Sequence, residues 1–155
     1  MKMHRFEEIW LVFAVIIIVG SMVITGYQGF AMGMSPPSHK EVIDPENVEN
    51  TAPFDEPGVY EVGDNEYDVV MTLETFSFDP GEIEVPAGAK VNFIITSKDV
   101  VHGMQIIDTN VNAMVMPGHI QKVSQTFHEP GEYLILCNEY CGAGHQLMSA
   151  TVTVE

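Results

Sequence analysis

The two cysteines of the chain, Cys137 and Cys141, lie on one short stretch together with His145 and Met148. A second imidazole is available upstream at His102. Thiolate, imidazole and thioether groups are together the ligand set that suits copper. The types and spacing of these residues therefore predict a copper site.

The number of cysteines favours two copper ions over one. A mononuclear blue-copper site takes two histidines, one cysteine and a weak methionine ligand, so this chain has one thiolate more than that site needs. Cys137 and Cys141 can each bridge two metal ions, and each ion then takes one histidine as its terminal ligand. Met148 and the main-chain carbonyl of Glu139 are placed to act as weak axial ligands.

Two other interpretations compete with copper at this point. A Cys137–Cys141 disulfide is possible outside the cytoplasm, but it would close only a tiny loop and would leave His102, His145 and Met148 without a role. A zinc site with two cysteines and two histidines is the second alternative, although structural zinc sites usually pair their histidines at a spacing of about three to five residues. The full constellation favours copper over both.

The pattern Cys-x-Glu-x-Cys-Gly-x-x-His-x-x-Met, preceded by His102-Gly103-Met104, resembles the CuA domain of cytochrome c oxidase subunit II. The resemblance extends over nearly the whole chain, and it is strongest to the single-span subunit II of the b-type haem-copper oxidases. It implies a binuclear copper centre that accepts electrons from cytochrome c or a small blue-copper protein. It also implies a partner, subunit I, whose haem receives these electrons, reduces oxygen to water and pumps protons.

The first residues predict a membrane anchor. The stretch Ile9–Ile24 is almost entirely apolar, and a bilayer span needs about 20 such residues; Trp10 and Tyr27 fit interfacial anchors. We expect residues 1–34 to form the N-terminal segment and one transmembrane helix, and a cleaved signal peptide is the alternative. Lys2 and Arg5 precede the span, so the positive-inside rule places the N-terminus in the cytoplasm. With the resemblance, we expect a single-pass protein of a prokaryotic plasma membrane whose copper domain faces outward.

The rest of the chain divides into a connector and a β domain. Residues 35–66 are rich in proline, asparagine and acids, which predicts an extended connector. Residues 67–155 alternate short apolar runs with turn signals, the pattern of an all-β sandwich; with the resemblance, we expect a cupredoxin-like Greek-key β-sandwich. Alternation along Tyr133, Ile135 and Cys137 delivers the first cysteine to one end of the sandwich.

The chain carries 22 acidic against 6 basic residues, a formal charge of −16. Such a surface repels nucleic acid, and it attracts cationic partners at salt-dependent rates. A positively charged small redox protein is one candidate partner. An equally good interpretation is that the acidity keeps the domain soluble.

The resemblance suggests two further roles for glutamates. Phe6-Glu7-x-x-Trp10 is similar to the place where relatives have a glutamate at the entrance of a proton pathway into subunit I. In many relatives the glutamate that corresponds to Glu139 also binds magnesium at the subunit interface. An ordinary interfacial carboxylate remains the alternative for Glu7.

The chain departs from the resembling family in two features, and two other functions are alternatives to an oxidase subunit. Many relatives have two membrane helices and a tryptophan-rich docking patch, whereas one helix is expected here and Trp10 is the only tryptophan. A CuA subunit of a nitric oxide reductase is one rival function. A membrane-anchored copper-delivery protein is the other, although delivery sites are usually exposed and flexible. The chain has no haem-ligand set, so the oxygen-reducing site is expected in the partner subunit.

Overall fold

The computed structural model describes residues 4–31 and 41–155, which fall into a helical unit and a β unit. In the helical unit, α1 (Arg5–Ala31) contains the whole predicted span, and residues 1–3 and 32–34 lie outside the described residues. The helix has a mean hydropathy of 2.6 over its most apolar window and is long enough to cross a membrane. A helix suits such a sequence because it pairs every backbone N–H and C=O internally, as a lipid environment requires.

The β unit contains strands and two short 3-10 helices within residues 41–155. The strands are β1 (Glu41–Val42), β2 (Gly58–Gly63), β3 (Glu66–Glu74), β4 (Ser77–Asp79), β5 (Glu82–Val85), β6 (Lys90–Ser97), β7 (His102–Ile106), β8 (Asn112–Val115), β9 (His119–Thr126), β10 (Gly131–Leu136) and β11 (Ser149–Val154). The 3-10 helices are Pro45–Asn50 and His145–Leu147.

These strands form a sandwich of two sheets. The first sheet has the order β1-β9-β6-β3-β2, with β4 paired to β3, and the second has the order β5-β11-β10-β7-β8. The β3–β6 and β5–β11 pairs are parallel, and the other pairs are antiparallel. The all-β fold predicted from the alternating pattern is confirmed.

The core lies between the two sheets and follows the two-residue period of the strands. Val91, Phe93 and Ile95 on β6 are completely buried, as their alternation predicts. On β10, Ile135 is buried whereas Leu134 is 43% exposed. The same alternation of inward and outward side chains continues one residue past the strand. Cys137 therefore points inward and lies at the end of the core.

The segment predicted as an extended connector has more structure than expected. Its residues 35–40 lie outside the described part of the chain, but β1 and β2 both join the first sheet. Ile43, Val48 and Phe54 are buried in a second cluster with Val70, on the outer face of that sheet. Strand β3 is therefore buried on both faces.

Candidate metal centre

The loop between β10 and β11 carries five of the six predicted ligands, all except His102. Its two ends are joined by a hydrogen bond from the amide of Cys137 to the carbonyl oxygen of Met148, at 3.3 Å. Within the loop, the amide of His145 donates to the carbonyl of Gly142 at 3.1 Å and starts the second 3-10 helix. This turn folds the histidine back towards Cys141, because amides of the loop donate to carbonyl oxygens three residues earlier.

Two free thiols lie at the centre of the site. The Sγ atoms of Cys137 and Cys141 are 3.8 Å apart, far beyond the S–S length of about 2.05 Å in a disulfide. Both side chains are buried. Burial and, to a smaller extent, the neighbouring Cys137 together raise the pKa of the Cys141 thiol to about 11. A metal that binds here must therefore displace thiol protons.

Each sulfur has its own imidazole neighbour. Nδ1 of His102, at the start of β7, is 3.9 Å from Sγ of Cys137, and Nδ1 of His145 is 3.6 Å from Sγ of Cys141. His102 is completely buried, and its ligand atom lies within 4.8 Å of both sulfurs. The fold therefore gathers residues that are distant in sequence into one cluster.

Two weaker donors complete the cluster. Sδ of Met148 lies 3.7 Å from Sγ of Cys141, and this methionine is 1% exposed. The carbonyl oxygen of Glu139 accepts from the Cys137 thiol at 3.2 Å. The Glu139 side chain is exposed, so the main-chain oxygen is the atom that faces the sulfurs.

The donor set fits copper. It offers two thiols, two imidazoles and a thioether, which are the ligands that copper sites combine. Structural zinc sites take cysteine and histidine and leave a thioether without a role, whereas Sδ of Met148 here contacts a cysteine sulfur directly.

Asp99 and Thr75 belong to the site, although the sequence pattern did not single them out. Nε2 of His102 donates to Oδ1 of Asp99 at 2.8 Å, and Oδ2 of Asp99 accepts from the amide of Thr75 at 2.7 Å and from its hydroxyl. Burial acts to raise the pKa of Asp99, but hydrogen bonds from Thr75, His102 and the Val100 amide outweigh burial and hold that pKa far below its usual range.

This carboxylate fixes the tautomer of the histidine. An ionised carboxylate only accepts hydrogen bonds, so Nε2 of His102 carries the proton and Nδ1 is left to face Cys137. Such partners orient a ligand histidine and raise its basicity. The only sequence signal for this role is an aspartate three positions before the histidine, which is a weak signal.

Gly103 lets β7 approach the ligand loop closely. A Cβ added at this position would lie 1.8 Å from Oδ1 of Asn138 and 2.9 Å from the amide of Glu139. The Asn138 amide group donates to Asn112 on β8 at 3.0 Å. The loop is therefore fixed against the β7–β8 hairpin beside the two cysteines.

Other residues considered from the sequence lie elsewhere. Glu7 is in the first turn of α1, in the helical unit, where its Oε2 accepts from the His4 amide at 2.9 Å. Met104, which follows His102-Gly103 in the pattern, is buried in the sandwich core. Among the described residues, one cluster of histidines, cysteines and carboxylates has metal-binding spacing, and it is the one formed by His102 and the two cysteines.

Comparisons with known proteins agree with the fold. Residues 65–154 match the family model "Cytochrome C oxidase subunit II, periplasmic domain". A cytochrome c oxidase subunit 2 from Thermus thermophilus is 38% identical over 162 residues, covering 99% of this chain and 96% of that protein.

Solved structures extend the likeness. A chain of a heme-copper terminal oxidase dimer, determined by cryo-electron microscopy, superposes with a TM-score of 0.79 at 30% identity, covering 97% of this chain and all of that one. The periplasmic domain of subunit II of cytochrome oxidase from Bradyrhizobium japonicum, at 18% identity, shares the fold over 57% of this chain and 83% of that one with a TM-score of 0.53. The domain has the cupredoxin-like fold that the resemblance implies.

Membership is shown by a family match over most of the β unit and by a relative aligned over nearly the full length of both chains. The apolar helix α1 fits a membrane-anchored member of such a family. The chain therefore belongs to the cytochrome c oxidase subunit II family, and it is a subunit of a haem-copper oxidase, an oxidoreductase complex.

Proposed function

We propose that this chain is the electron-accepting subunit of a proton-pumping terminal oxidase. Its ligands for a binuclear CuA centre are His102, Cys137, the carbonyl of Glu139, Cys141, His145 and Met148. The subunit accepts electrons from cytochrome c or a small copper protein and passes them to a haem of subunit I, where oxygen is reduced to water. The observation that carries this proposal is the pair of free, buried thiols 3.8 Å apart, each with an imidazole nitrogen beside it.

The protein's part in electron transfer is to hold the ligands in one arrangement. Cys137, Cys141, His102 and His145 would hold the copper, which would supply a one-electron redox centre when bound. Cys137 and Met148 are joined through their backbones, and His102 is held by Asp99, so the ligand positions resist change. Preorganised groups need little movement when charge changes at the site.

Burial is the second contribution of the chain. His102 is fully buried, and Met148 and both cysteines are largely so. A dry environment lowers the dielectric around the site and, with hydrogen bonds to the ligands, sets the redox potential. His145 is only half-buried, so it is the ligand histidine nearer to solvent.

The anchor and the two glutamates belong to the same proposal. Helix α1 crosses a prokaryotic plasma membrane once, with the N-terminus in the cytoplasm and the copper domain outside. Glu7 stands at the entrance of a proton pathway into subunit I, and the Glu139 carboxylate contributes to a magnesium site at the subunit interface. These roles are supported by the exposure of both carboxylates and by the residue patterns shared with the family.

Burial also argues against a copper-delivery protein. A delivery site has to release its metal, whereas the side chains of His102, Met148 and both cysteines are buried here, and backbone hydrogen bonds close the ligand loop. A nitric oxide reductase subunit has the same electron-accepting chemistry and differs only in its partner.

The test is to purify the full chain with its bound partners from a membrane and to measure its metal and haem content. We expect about two coppers per chain and a haem-bearing subunit that reduces oxygen with reduced cytochrome c as donor. Isolation of the chain alone with readily exchanged copper would favour delivery. A haem partner that reduces nitric oxide and not oxygen would move the chain to the reductases.

A further inference from the structure

The turn between β3 and β4, formed by Thr75 and Phe76, contains a backbone conformation that a phenylalanine rarely adopts. Phe76 has a φ of 139°, and its amide donates to the carbonyl of Glu74 at 2.9 Å. A bulky residue at positive φ is a genuine outlier, and such conformations persist only where the surrounding structure enforces them. The contacts of this turn show what enforces it.

Thr75 holds the His102 side of the site. Its amide and its hydroxyl both donate to Oδ2 of Asp99, whose Oδ1 accepts from Nε2 of His102. Asp99 is thus held from one side by the turn and from the other by the histidine. The position of the His102 ring depends on a residue that is not itself a ligand.

Phe76 covers the His145 side. A Cβ added to Gly144 would lie 2.7 Å from two carbons of the Phe76 ring, and one added to Gly142 would lie 3.1 Å from the same ring. The ring therefore packs directly on the glycine backbone of the ligand loop. That backbone starts the turn that carries the histidine, because the Gly142 carbonyl accepts from the His145 amide and the Gly144 carbonyl from the Leu147 amide.

The turn itself is firmly attached to the first sheet. Leu73 and Phe78, on either side of it, are buried in the main core, and Glu74 pairs with Ser77 across the hairpin. The Lys98 amide donates to the Leu73 carbonyl at 2.9 Å. The strained turn thus connects a fixed sheet edge to the loop of the opposite sheet.

We propose that the Thr75–Phe76 turn is a positioning element that holds both histidines of the centre, His102 through Asp99 and His145 through the glycine backbone under the Phe76 ring. No atom of this turn is a ligand. Its effect is to fix the two histidines, which lie at opposite ends of the ligand cluster, from the one turn between β3 and β4. The inference rests on the proposed copper centre for its consequence, but the packing that it invokes exists without metal.

The first test is amide hydrogen exchange of the metal-free full chain in detergent. Phe76→Ala is compared with Tyr60→Ala, a matched control because Phe76 is 39% and Tyr60 40% exposed. We expect Phe76→Ala to speed exchange of the His145 and Leu147 amides about 10-fold or more, with β6 unchanged, since local opening is a property of individual segments. Unchanged loop exchange, or an equal increase in β6 or in the Tyr60 variant, would overturn the proposal.

A double-mutant cycle isolates the contact between the ring and the loop. Gly144→Ala alone drives a methyl into the Phe76 ring and is expected to increase loop exchange. In the Phe76→Ala background the same change should have little further effect, because the clash is gone, and contacting residues are coupled in this way. Effects that simply add in the double variant would show that the ring does not position the loop.

The other half of the turn is tested on the metal-free chain, in which the contacts of Thr75, Asp99 and His102 are already present. Thr75→Val removes the hydroxyl donor, and the histidine ring resonances in the NMR spectrum are expected to shift for His102 more than for His145; Thr75→Ser should restore them. Equal shifts of both rings, or no shift, would overturn this half. If the wild-type chain takes up no copper, the proposed function fails, whereas the exchange and NMR measurements on the metal-free chain still decide the roles of Phe76 and Thr75.

Discussion

Nε2 of the buried His102 donates to Oδ1 of Asp99 at 2.8 Å, while its other ring nitrogen faces Sγ of Cys137 at 3.9 Å. One carboxylate therefore decides which nitrogen is free to bind metal. Because the histidine is completely buried, bulk solvent cannot take the place of this partner.

Asp99→Asn should weaken copper binding without unfolding the domain. The amide oxygen cannot accept from His102, Thr75 and Val100 as the carboxylate does, so the imidazole loses its orientation. We expect affinity to fall about 10- to 100-fold, the usual effect of removing such a partner, measured by competition with a chelator. Asp108→Asn is the control, because Asp108 is exposed and asparagine tolerates its positive φ of 61°. Equal losses in the two variants would contradict the role of Asp99.

Either cysteine should be indispensable for a centre with two coppers. Cys137→Ser or Cys141→Ser replaces a soft sulfur by a hard oxygen, and copper prefers the sulfur. We expect the shared-electron spectrum to disappear in both variants. Ala143→Ser adds a hydroxyl at an exposed position of the same loop and should leave the spectrum intact. A normal spectrum in either cysteine variant would refute bridging by these thiols.

Met148→Leu should change the redox potential but not the copper content. Leucine conserves the volume of this buried side chain, so the cost to stability should stay below about 1.5 kcal/mol. The thioether 3.7 Å from Cys141 is lost, which alters a weak ligand. Voltammetry together with metal analysis checks both parts. An unchanged potential would remove Met148 from the ligand set.

Gly103→Ala should damage the ligand loop through a steric clash. Its Cβ would lie 1.8 Å from Oδ1 of Asn138, and overpacking of this kind costs about 1–3 kcal/mol. Thermal unfolding of the metal-free chain measures the loss. Gly63→Ala is the control, because the nearest atom to its Cβ is 3.8 Å away, and Asn138→Ala should partly rescue the Gly103 variant. A stability unchanged by Gly103→Ala would contradict the close approach.

Phe54→Ala should destabilise the whole β unit. Phe54 is 1% exposed in the second core cluster, and truncation of a buried phenylalanine costs about 3–5 kcal/mol. Denaturant unfolding should register this loss, whereas Val42→Ala, at a position 73% exposed, should change little. A loss as small as that of the Val42 variant would mean that this segment packs only loosely on the sheet.

Features with a local signal were predictable from the sequence. The run of apolar residues in α1 and the alternation in β6 and β10 report directly on burial. The donors Cys137, Cys141, His145 and Met148 lie on one loop, so spacing alone placed them together. His102 is distant in sequence, but it is predicted as the second imidazole ligand because the copper site takes two histidines and the family pattern has a histidine at this place.

Features that depend on distant contacts were missed. Asp99 looks like an ordinary loop acid, and its role depends on Thr75, which lies on a different turn. Residues 41–63 are rich in proline and acids, and only the fold reveals that Val48 and Phe54 cover the outer face of β3. Phe76 is apolar and half-exposed, so nothing in its neighbourhood along the chain distinguishes it from a surface residue.

The most direct test of the copper centre is an electron paramagnetic resonance spectrum of the full chain, purified in detergent and loaded with copper. The ligand cluster predicts about two coppers per chain and one unpaired electron whose hyperfine splitting is shared equally by both nuclei. A spectrum from a single copper nucleus, or tight zinc binding with no copper signal, would contradict the account.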